Sequence, residues 1–203
     1  ISNDELMDVW EDKLAEYGSR IIEERNHYIE RIKKESSDIH KEITGEKEEL
    51  DLFYEASIPY HKDRKEIQRV FADRMKEERK RDFFKGSTGS GPHKDDIRIN
   101  VDGIDIRNFG SQGQQRTAAL SLKLAGINII KEEKNEFPVL LLDDVLSELD
   151  EKRQEYLINK LSNVQLFITT AEIKEPLFKT LSEKKTFTVE KGSANSFGDL
   201  IKE

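Results

Sequence analysis

The sequence contains no cysteine among its 203 residues, which excludes disulfide bridges and thiolate metal sites and favours a reducing cytoplasm. Long apolar runs are also missing. The longest strongly apolar stretch, from Val139 to Leu142, is far too short to cross a bilayer. No signal peptide precedes the first stretch with a helical pattern, so we expect a cytoplasmic protein, nucleoid-associated if it binds DNA, without membrane association.

Hydrophobic residues make up only 35% of the chain, whereas charged residues make up 37%. This balance predicts long solvent-exposed helices joined to one globular unit rather than a single compact sphere. The net charge of −8 argues against general attraction of nucleic acid by the whole chain. The main basic segment runs from Arg74 to Lys85, and we interpret it as a solvated helix face.

Apolar residues recur at intervals of three and four from about Asp4 to Thr44, which predicts a long helix. This stripe is expected to pack inside a helical hairpin or short coiled coil. The same periodicity from Asp63 to Phe84 predicts the second limb of a helical arm. Residues 46–59, between the two limbs, are compatible with a strand or an irregular connection. The stripe consists of Leu6, Trp10, Leu14, Tyr17, Ile21, Tyr28, Ile32, Ile39 and Ile43.

Turn-forming residues between Gly86 and Pro92 predict a boundary between an arm domain, residues 1–85, and a second domain, residues 86–203. Gly86 and Gly91 have the spacing of a phosphate-binding Walker A loop, but Pro92 stands where the lysine should be. Proline supplies neither an amide N–H group nor an ammonium group, so this segment is not a phosphate-binding loop.

The second domain alternates predicted strands and helices, which indicates an α/β fold with a parallel sheet covered on both faces. Asp102 and Gly103 predict a tight hairpin between two of the strands. A weaker, partly helical tail is expected after residue 169. The predicted strands are residues 97–101, 104–106, 139–142 and 165–169, and the predicted helices are about 111–131 and 151–161.

Two carboxylates, Asp143 and Asp144, are expected just past the C-terminal end of the strand that finishes at Leu142. Ligands bind at this edge of open α/β sheets. There one carboxylate can hold Mg²⁺, usually through water, and the next can orient an attacking water. Alternatively, the pair only ends the strand and caps the following helix, which is the favoured interpretation for the dipeptide alone.

A segment of small and polar residues, Phe109 to Thr117, leads directly into an apolar helix. Small residues let a backbone approach an anion closely, and a helix start offers free N–H groups and a positive dipole end. Ser111 and Gln114 could donate or accept hydrogen bonds around a phosphate. The alternative is an ordinary turn in which Ser111 only caps the helix.

Together these segments resemble the RecF family of ABC-type ATPases. Residues 110–114 resemble the ABC signature, residues 139–144 the Walker B strand, and residues 147–150 the D-loop. The shared pattern covers residues 91–170, and the preceding helices are similar to the RecF arm more loosely. The resemblance implies an α/β fold class: a partial ABC-type ATPase head that lacks Walker A, preceded by a helical arm.

The resemblance also implies roles for the matching residues. Asp143 would serve Mg²⁺, Asp144 would be catalytic by polarising water, and Thr170 stands at the position of a switch histidine. Signature residues would contact ATP held by a second subunit, and D-loop residues would couple the two ATP sites. The signature residues are Ser111, Gln112, Gly113 and Gln114, and the D-loop residues are Ser147 and Asp150.

With ATP and Mg²⁺ as cofactors, the resemblance implies an ATP-gated homodimer that binds DNA at single-strand/double-strand junctions. It would help a mediator complex containing RecR to load recombinase. The sequence departs from most ABC-type ATPases at Gln112, where glycine is usual, at Asp144, where glutamate is usual, and at Thr170, where many have histidine. Because a threonine cannot titrate near neutral pH, we expect slow hydrolysis. The resemblance implies that this hydrolysis depends on DNA. Without Walker A, the chain alone is expected to bind ATP weakly and not to hydrolyse it.

Two alternatives stay open: another ABC-type head of the Rad50-like or structural-maintenance kind, and a protein-interaction module with an inactive ATPase half. An arm confined to residues 1–85 argues against a long coiled coil. Basic and acidic residues alternate along both limbs, so no DNA-contacting residues are assigned. His93 is expected to have a structural role, because the other histidines are scattered over predicted helices.

Overall fold

The computed structural model describes residues 3–171 and 184–196, with the backbone alone for residues 3, 4, 147 and 148. The chain forms two compact units, Ile1–Glu136 and Phe137–Glu203. The first contains α1 (Asn3–Thr44), β1 (Leu50–Glu55), α2 (Arg64–Lys85), β2 (Asp96–Val101), β3 (Ile104–Asp105), α3 (Ile106–Phe109) and α4 (Gln112–Lys134). The second contains β4 (Leu140–Asp143), α5 (Glu151–Lys160), β5 (Leu166–Thr169), β6 (Phe187–Glu190) and β7 (Ser193–Ser196).

The long first helix is confirmed, but its predicted packing face is only partly correct: Ile39 is 5% exposed, whereas the stripe residues from Leu6 to Ile21 are all at least 44% exposed. Trp10, in the apolar stripe, is 59% exposed, whereas Ile22 on a different face is fully buried. The buried face carries small residues: a Cβ atom on Gly18 would lie 2.3 Å from Cε1 of Phe71 in α2. Close helix packing selects the face where the backbones can approach. In the N-terminal half of α1, the positions of the large apolar residues therefore do not identify the buried face.

The second limb packs on α1 through one apolar cluster. Asp63 caps the start of α2, accepting a hydrogen bond from the Lys65 amide at 2.9 Å. Gly86 ends the helix with a φ of 68°, and its N–H group donates to the last carbonyl groups of α2. This glycine therefore terminates a helix. The cluster comprises Ala15, Ile22, Ile58, Ile67, Phe71 and Met75.

The basic segment of α2 forms ion pairs. Arg79 contacts Asp8 and Glu11 of α1, and Glu11 is a buried carboxylate. Arg74 and Arg81 pair with Glu78 at 3.0 Å and 2.7 Å. Each of these pairs has at least one partly or fully buried partner: Glu78 is 11% exposed, Glu11 is 6% exposed and Arg79 is 25% exposed. Arg79 is distinct because it joins the two limbs of the arm.

An antiparallel sheet in the order β1-β2-β3 completes the first unit. Residues 50–55 are therefore a strand, and the predicted hairpin is confirmed, with positive φ angles at Asp102 and Gly103. Ile106 was predicted to end a strand but begins α3 instead, because the Asp105 side chain accepts a hydrogen bond from the Arg107 amide at 2.9 Å. A second cluster joins the sheet to α1 and α4: Ile29, Leu50, Leu52, Val101, Ile106 and Ala118.

Helix α4 packs along α1 within this first unit. Arg31 of α1 pairs with Glu133 of α4 at 2.5 Å between Nη1 and Oε1. The predicted boundary at residue 86 would place these two helices in different domains. The α1–α4 packing instead places both helices in one compact unit.

The second unit contains the predicted parallel strand pair, β4 and β5. Leu141 and Phe167 are direct partners, yet they are 72% and 57% exposed. The expected cover on both faces is therefore not present within the described residues. Strands β6 and β7 form a hairpin where a partly helical tail was predicted, and residues 172–183 of that tail lie outside the described residues. None of the described helices is long and apolar enough to cross a membrane.

Candidate nucleotide-binding site

Ser111 caps the start of α4 through two reciprocal hydrogen bonds with Gln114. The backbone N–H group of Gln114 donates to Ser111 Oγ at 3.2 Å, and the backbone N–H group of Ser111 donates to Gln114 Oε1 at 3.0 Å. This is a capping box. The first N–H groups of a helix point beyond its end, so those of Gln112 and Gly113 can serve an anion. Capping and anion binding are thus compatible in one turn.

Gly110 allows this turn to lie against α3. A Cβ atom on Gly110 would sit 2.7 Å from the Ile106 carbonyl oxygen, closer than real Cβ contacts allow. The Gly110 amide donates to that oxygen at 3.2 Å, and Gln115 Nε2 donates to it at 2.7 Å. The short helix α3 therefore braces the turn, and the glycine is required by close approach.

Asp143 is the last residue of β4, whereas the sequence predicted that the strand ends at Leu142 and that Asp143 follows it. Its parallel partner is Thr169 of β5. The Thr169 hydroxyl donates to Asp143 Oδ1 at 2.5 Å and accepts from the Asp144 amide at 3.1 Å. Thr169 thus holds the Asp143 carboxylate and the backbone of Asp144. Thr169 is not among the site residues predicted from the sequence, although parallel pairing of the two predicted strands would bring their ends together.

Asp144 adopts a left-handed conformation, with φ 51° and ψ 18°. Aspartate tolerates this region better than most residues with a Cβ atom. The conformation turns the chain from β4 into the 3-10 turn Val145–Glu148 and leaves the Asp143 and Asp144 side chains exposed. Thr170, which directly follows β5, is half-buried.

The residues at this strand end suit Mg²⁺, which keeps several water or phosphate ligands, better than they suit a metal ion that takes all its ligands from the protein. Within the residues that the structure describes, no group of three or more histidine and carboxylate side chains could hold an ion. Protein-bound Mg²⁺ usually takes one or two carboxylates and completes its shell with water and substrate phosphates. The exposed Asp143 carboxylate meets that requirement.

Asp150 caps α5 and accepts a hydrogen bond from the Arg153 amide at 3.0 Å. That hydrogen bond, together with the nearby Arg153 guanidinium group, lowers the pKa of the Asp150 carboxyl below its ordinary value of 3.8. The other D-loop residue, Ser147, lies outside the described residues as regards its side chain. Asp150 therefore has a structural role in addition to the one implied by resemblance.

Replacing Asp150 with alanine is expected to lower the free energy of unfolding by about 1 kcal/mol, because an N-cap is lost. Asp150→Asn should change it little, since asparagine also caps helices. The carboxylate's folded pKa is depressed, so its contribution is complete above pH 3.8 and disappears as the pH falls further. Denaturant titrations at pH 7 and pH 3 measure both effects. Equal stability of the alanine and asparagine variants at pH 7 would contradict the capping role.

The run that starts at Gly91 has a structural role. His93 Nε2 lies 3.1 Å from Oγ1 and 3.2 Å from the carbonyl oxygen of Thr88, as expected for a structural histidine. The buried Asp95 side chain accepts from the Ser57 amide at 2.7 Å and from the Tyr54 hydroxyl at 2.5 Å. Burial and the Asp95 carboxylate raise the pKa of Tyr54. These contacts fasten the run to the end of β1.

The fold defines the class of the chain: a mixed α/β protein with an N-terminal helical region and a parallel strand pair, matching the fold of solved RecF structures. No model of a known protein family matches the chain. It is 46% identical over 194 residues to the DNA replication and repair protein RecF of Clostridium novyi, covering 96% of the chain and 53% of that protein. RecF of Agathobacter rectalis is 44% identical over 93% of the chain and 50% of that protein.

Two solved structures of the recombination mediator protein RecF in the RecFOR pathway are also similar to this chain. They are described as RecF-ATP and RecF-ATPrS, are 37% identical, and give TM-scores of 0.84 and 0.83. The matches cover 96% and 97% of this chain, but only 51% and 52% of those chains. The chain thus spans about half the length of the relatives it matches. It is homologous to RecF over that half.

Proposed function

We propose that this chain is part of an ATP-dependent DNA-binding protein of recombinational repair, and that it supplies the half of an ATP site that acts in trans. The observation that carries the proposal is the capped turn at Ser111, which presents a helix start, in a chain homologous to RecF. The proposal is supported by the names of the relatives, which mention DNA replication and repair, and by a solved structure described as RecF-ATP. A Rad50-like head is less well supported, because the relatives described above are RecF proteins.

In this proposal Ser111, Gln112, Gly113 and Gln114 contact ATP that is bound by the Walker A loop of a second copy. The amide groups at the start of α4 and the positive end of its dipole suit a phosphate. The contact is reciprocal in a two-fold homodimer, so two ATP molecules lie in one isologous interface. Dimerisation therefore requires nucleotide.

Chemistry is assigned to the end of β4. Asp143 holds Mg²⁺, and Asp144 orients the attacking water. Thr170 stands where many other ABC-type ATPases have a group that titrates near neutral pH, so hydrolysis is slow. The likeness to RecF supports the dependence of this hydrolysis on DNA. Ser147 and Asp150 couple the two sites. The Thr169 hydroxyl, which donates to Asp143 Oδ1 at 2.5 Å, restricts the rotation of that carboxylate.

The biological setting follows the relatives. Residues 1–85 act as the arm and residues 86–203 as part of the head of a clamp that binds junctions between single-stranded and double-stranded DNA. The clamp works in the cytoplasm, at the nucleoid. The pathway named for the solved relatives supports a RecR-containing mediator as partner in loading recombinase.

The purified chain is expected to show no ATP turnover, whereas the full-length protein should hydrolyse ATP slowly and form dimers only with nucleotide. The physical reason is that this chain contributes the trans half of the site without a phosphate-gripping loop. Phosphate release assays on both proteins, with and without gapped DNA, measure the first effect. Analytical ultracentrifugation with and without ATP measures the second.

Robust turnover by the chain alone would contradict the trans assignment. A full-length protein that remains monomeric with ATP would contradict the dimer. Gapped, fully duplex and single-stranded DNA at one salt concentration should be compared, because affinity for DNA depends strongly on salt. Equal affinity for all three would contradict junction recognition.

A further inference from the structure

The side chain of Gln114 is held at both ends of its amide group. Its Oε1 accepts from the Ser111 amide at 3.0 Å, within the capping box. Its Nε2 donates to Glu48 Oε1 at 3.3 Å, although Glu48 lies 66 residues earlier in the chain. Glu48 stands between α1 and β1, outside the turn itself. A residue in the connection between α1 and β1 therefore fixes which way the side-chain amide of Gln114 faces.

Behind Glu48 lies His40 of α1, whose side chain is fully buried. His40 Nε2 is 3.4 Å from Glu48 Oε2, and His40 Nδ1 is 3.2 Å from Ser121 Oγ in α4. Ser121 Oγ in turn donates to the Thr117 carbonyl oxygen at 2.8 Å. The imidazole ring thus bridges Glu48 and the buried side of the signature helix.

These contacts form a polar path through Ser111, Gln114, Glu48, His40, Ser121 and Thr117, in which the Glu48–His40 step is a 3.4 Å contact and not a hydrogen bond. Both ends of the path belong to α4 or its cap, and its middle belongs to α1 and the residues that follow. Burying polar groups is unfavourable unless their hydrogen bonds are met, and apolar packing would stabilise the same helix pair more simply. Its geometric effect is to lock the signature turn to the arm helix.

We propose that Glu48 is a positioning residue for the signature turn, supported from behind by His40. By holding the side-chain amide of Gln114, Glu48 keeps Gln114 Oε1 hydrogen-bonded to the Ser111 backbone N–H group. This bond in turn keeps the Ser111 hydroxyl and the first backbone N–H groups of α4 in place for a phosphate. This proposal rests on the function proposed above. It also makes the arm helix a direct mechanical support of the ATP contact.

The test uses three variants of the full-length protein. Glu48→Ala removes the acceptor for Gln114, and we expect the ATP concentration for half-maximal dimerisation to rise about 3- to 10-fold, the effect of one lost hydrogen bond. ATP binding to the isolated subunit should not change. Glu48→Gln should rescue dimerisation, because its side-chain oxygen can still accept the hydrogen bond from Gln114 Nε2. Glu49→Ala, at the exposed neighbouring residue, is the matched control.

Ultracentrifugation over an ATP titration and binding of a fluorescent ATP analogue at low protein concentration give the two readouts. If Glu48→Ala dimerises like Glu49→Ala, the positioning role is overturned. It is also overturned if Glu48→Gln is as impaired as Glu48→Ala, or if both readouts weaken together with thermal stability. Ser111→Asp, measured in parallel, separates the two proposals: if it dimerises normally, the proposed function itself fails.

Discussion

Full-length protein carrying Ser111→Asp is expected to lose ATP-dependent dimerisation while keeping a stable helix α4. Aspartate is as good an N-cap as serine, and a negative charge is favourable at a helix start. The same charge repels a phosphate. Losing one hydrogen bond to a charged group costs about 1.5–3 kcal/mol, or about 10- to 100-fold in affinity, before repulsion is added. Each dimer would contain this contact twice, so the combined effect exceeds that of one site.

Two further substitutions separate capping from phosphate contact. Ser111→Thr retains a hydroxyl and a cap and should retain dimerisation, whereas Ser111→Ala should weaken both dimerisation and helix stability. Thermal unfolding reports the cap, and ultracentrifugation with ATP reports the nucleotide contact. Dimerisation of Ser111→Asp at the wild-type ATP concentration would show that this hydroxyl does not face a phosphate.

The second large effect concerns the arm. In the 203-residue chain, Ile22→Ala is expected to lower the free energy of unfolding by about 2–5 kcal/mol, because it leaves a cavity beside Ile67 and Phe71. Leu14→Ala, on the same helix, should change it by less than about 0.5 kcal/mol, since Leu14 is 48% exposed. The stripe identified from the sequence would predict the reverse order.

Urea titrations of the two variants, followed by circular dichroism, measure this difference directly. Both substitutions shorten a four-carbon side chain to a methyl group in the same helix, and the helix propensities of leucine and isoleucine differ by only about a few tenths of a kcal/mol. A Leu14→Ala variant that unfolds as easily as Ile22→Ala would show that the Trp10 stripe packs against another surface in solution, for instance in a self-associated arm.

Much of the fold was predictable because its signals are local. Periodicity located α1 and α2, Asp102 and Gly103 located the hairpin, and an apolar run located β4 to within one residue. The capping role of Ser111 was likewise predicted, as one of two alternatives, from a serine in a Gly/Ser turn at the start of an apolar helix. Turn chemistry and capping act over a few residues, so a single sequence carries them.

Other features depended on contacts between distant residues. The tertiary structure alone decided that α1 buries its Gly18 face rather than its Trp10 stripe, because the choice depends on where Phe71 can approach. The support of Asp143 by Thr169 and of Gln114 by Glu48 spans 26 and 66 residues of sequence. Local patterns determine which elements form. Their packing, which brings remote side chains within hydrogen-bond distance, determines which faces are buried and how the candidate site is held.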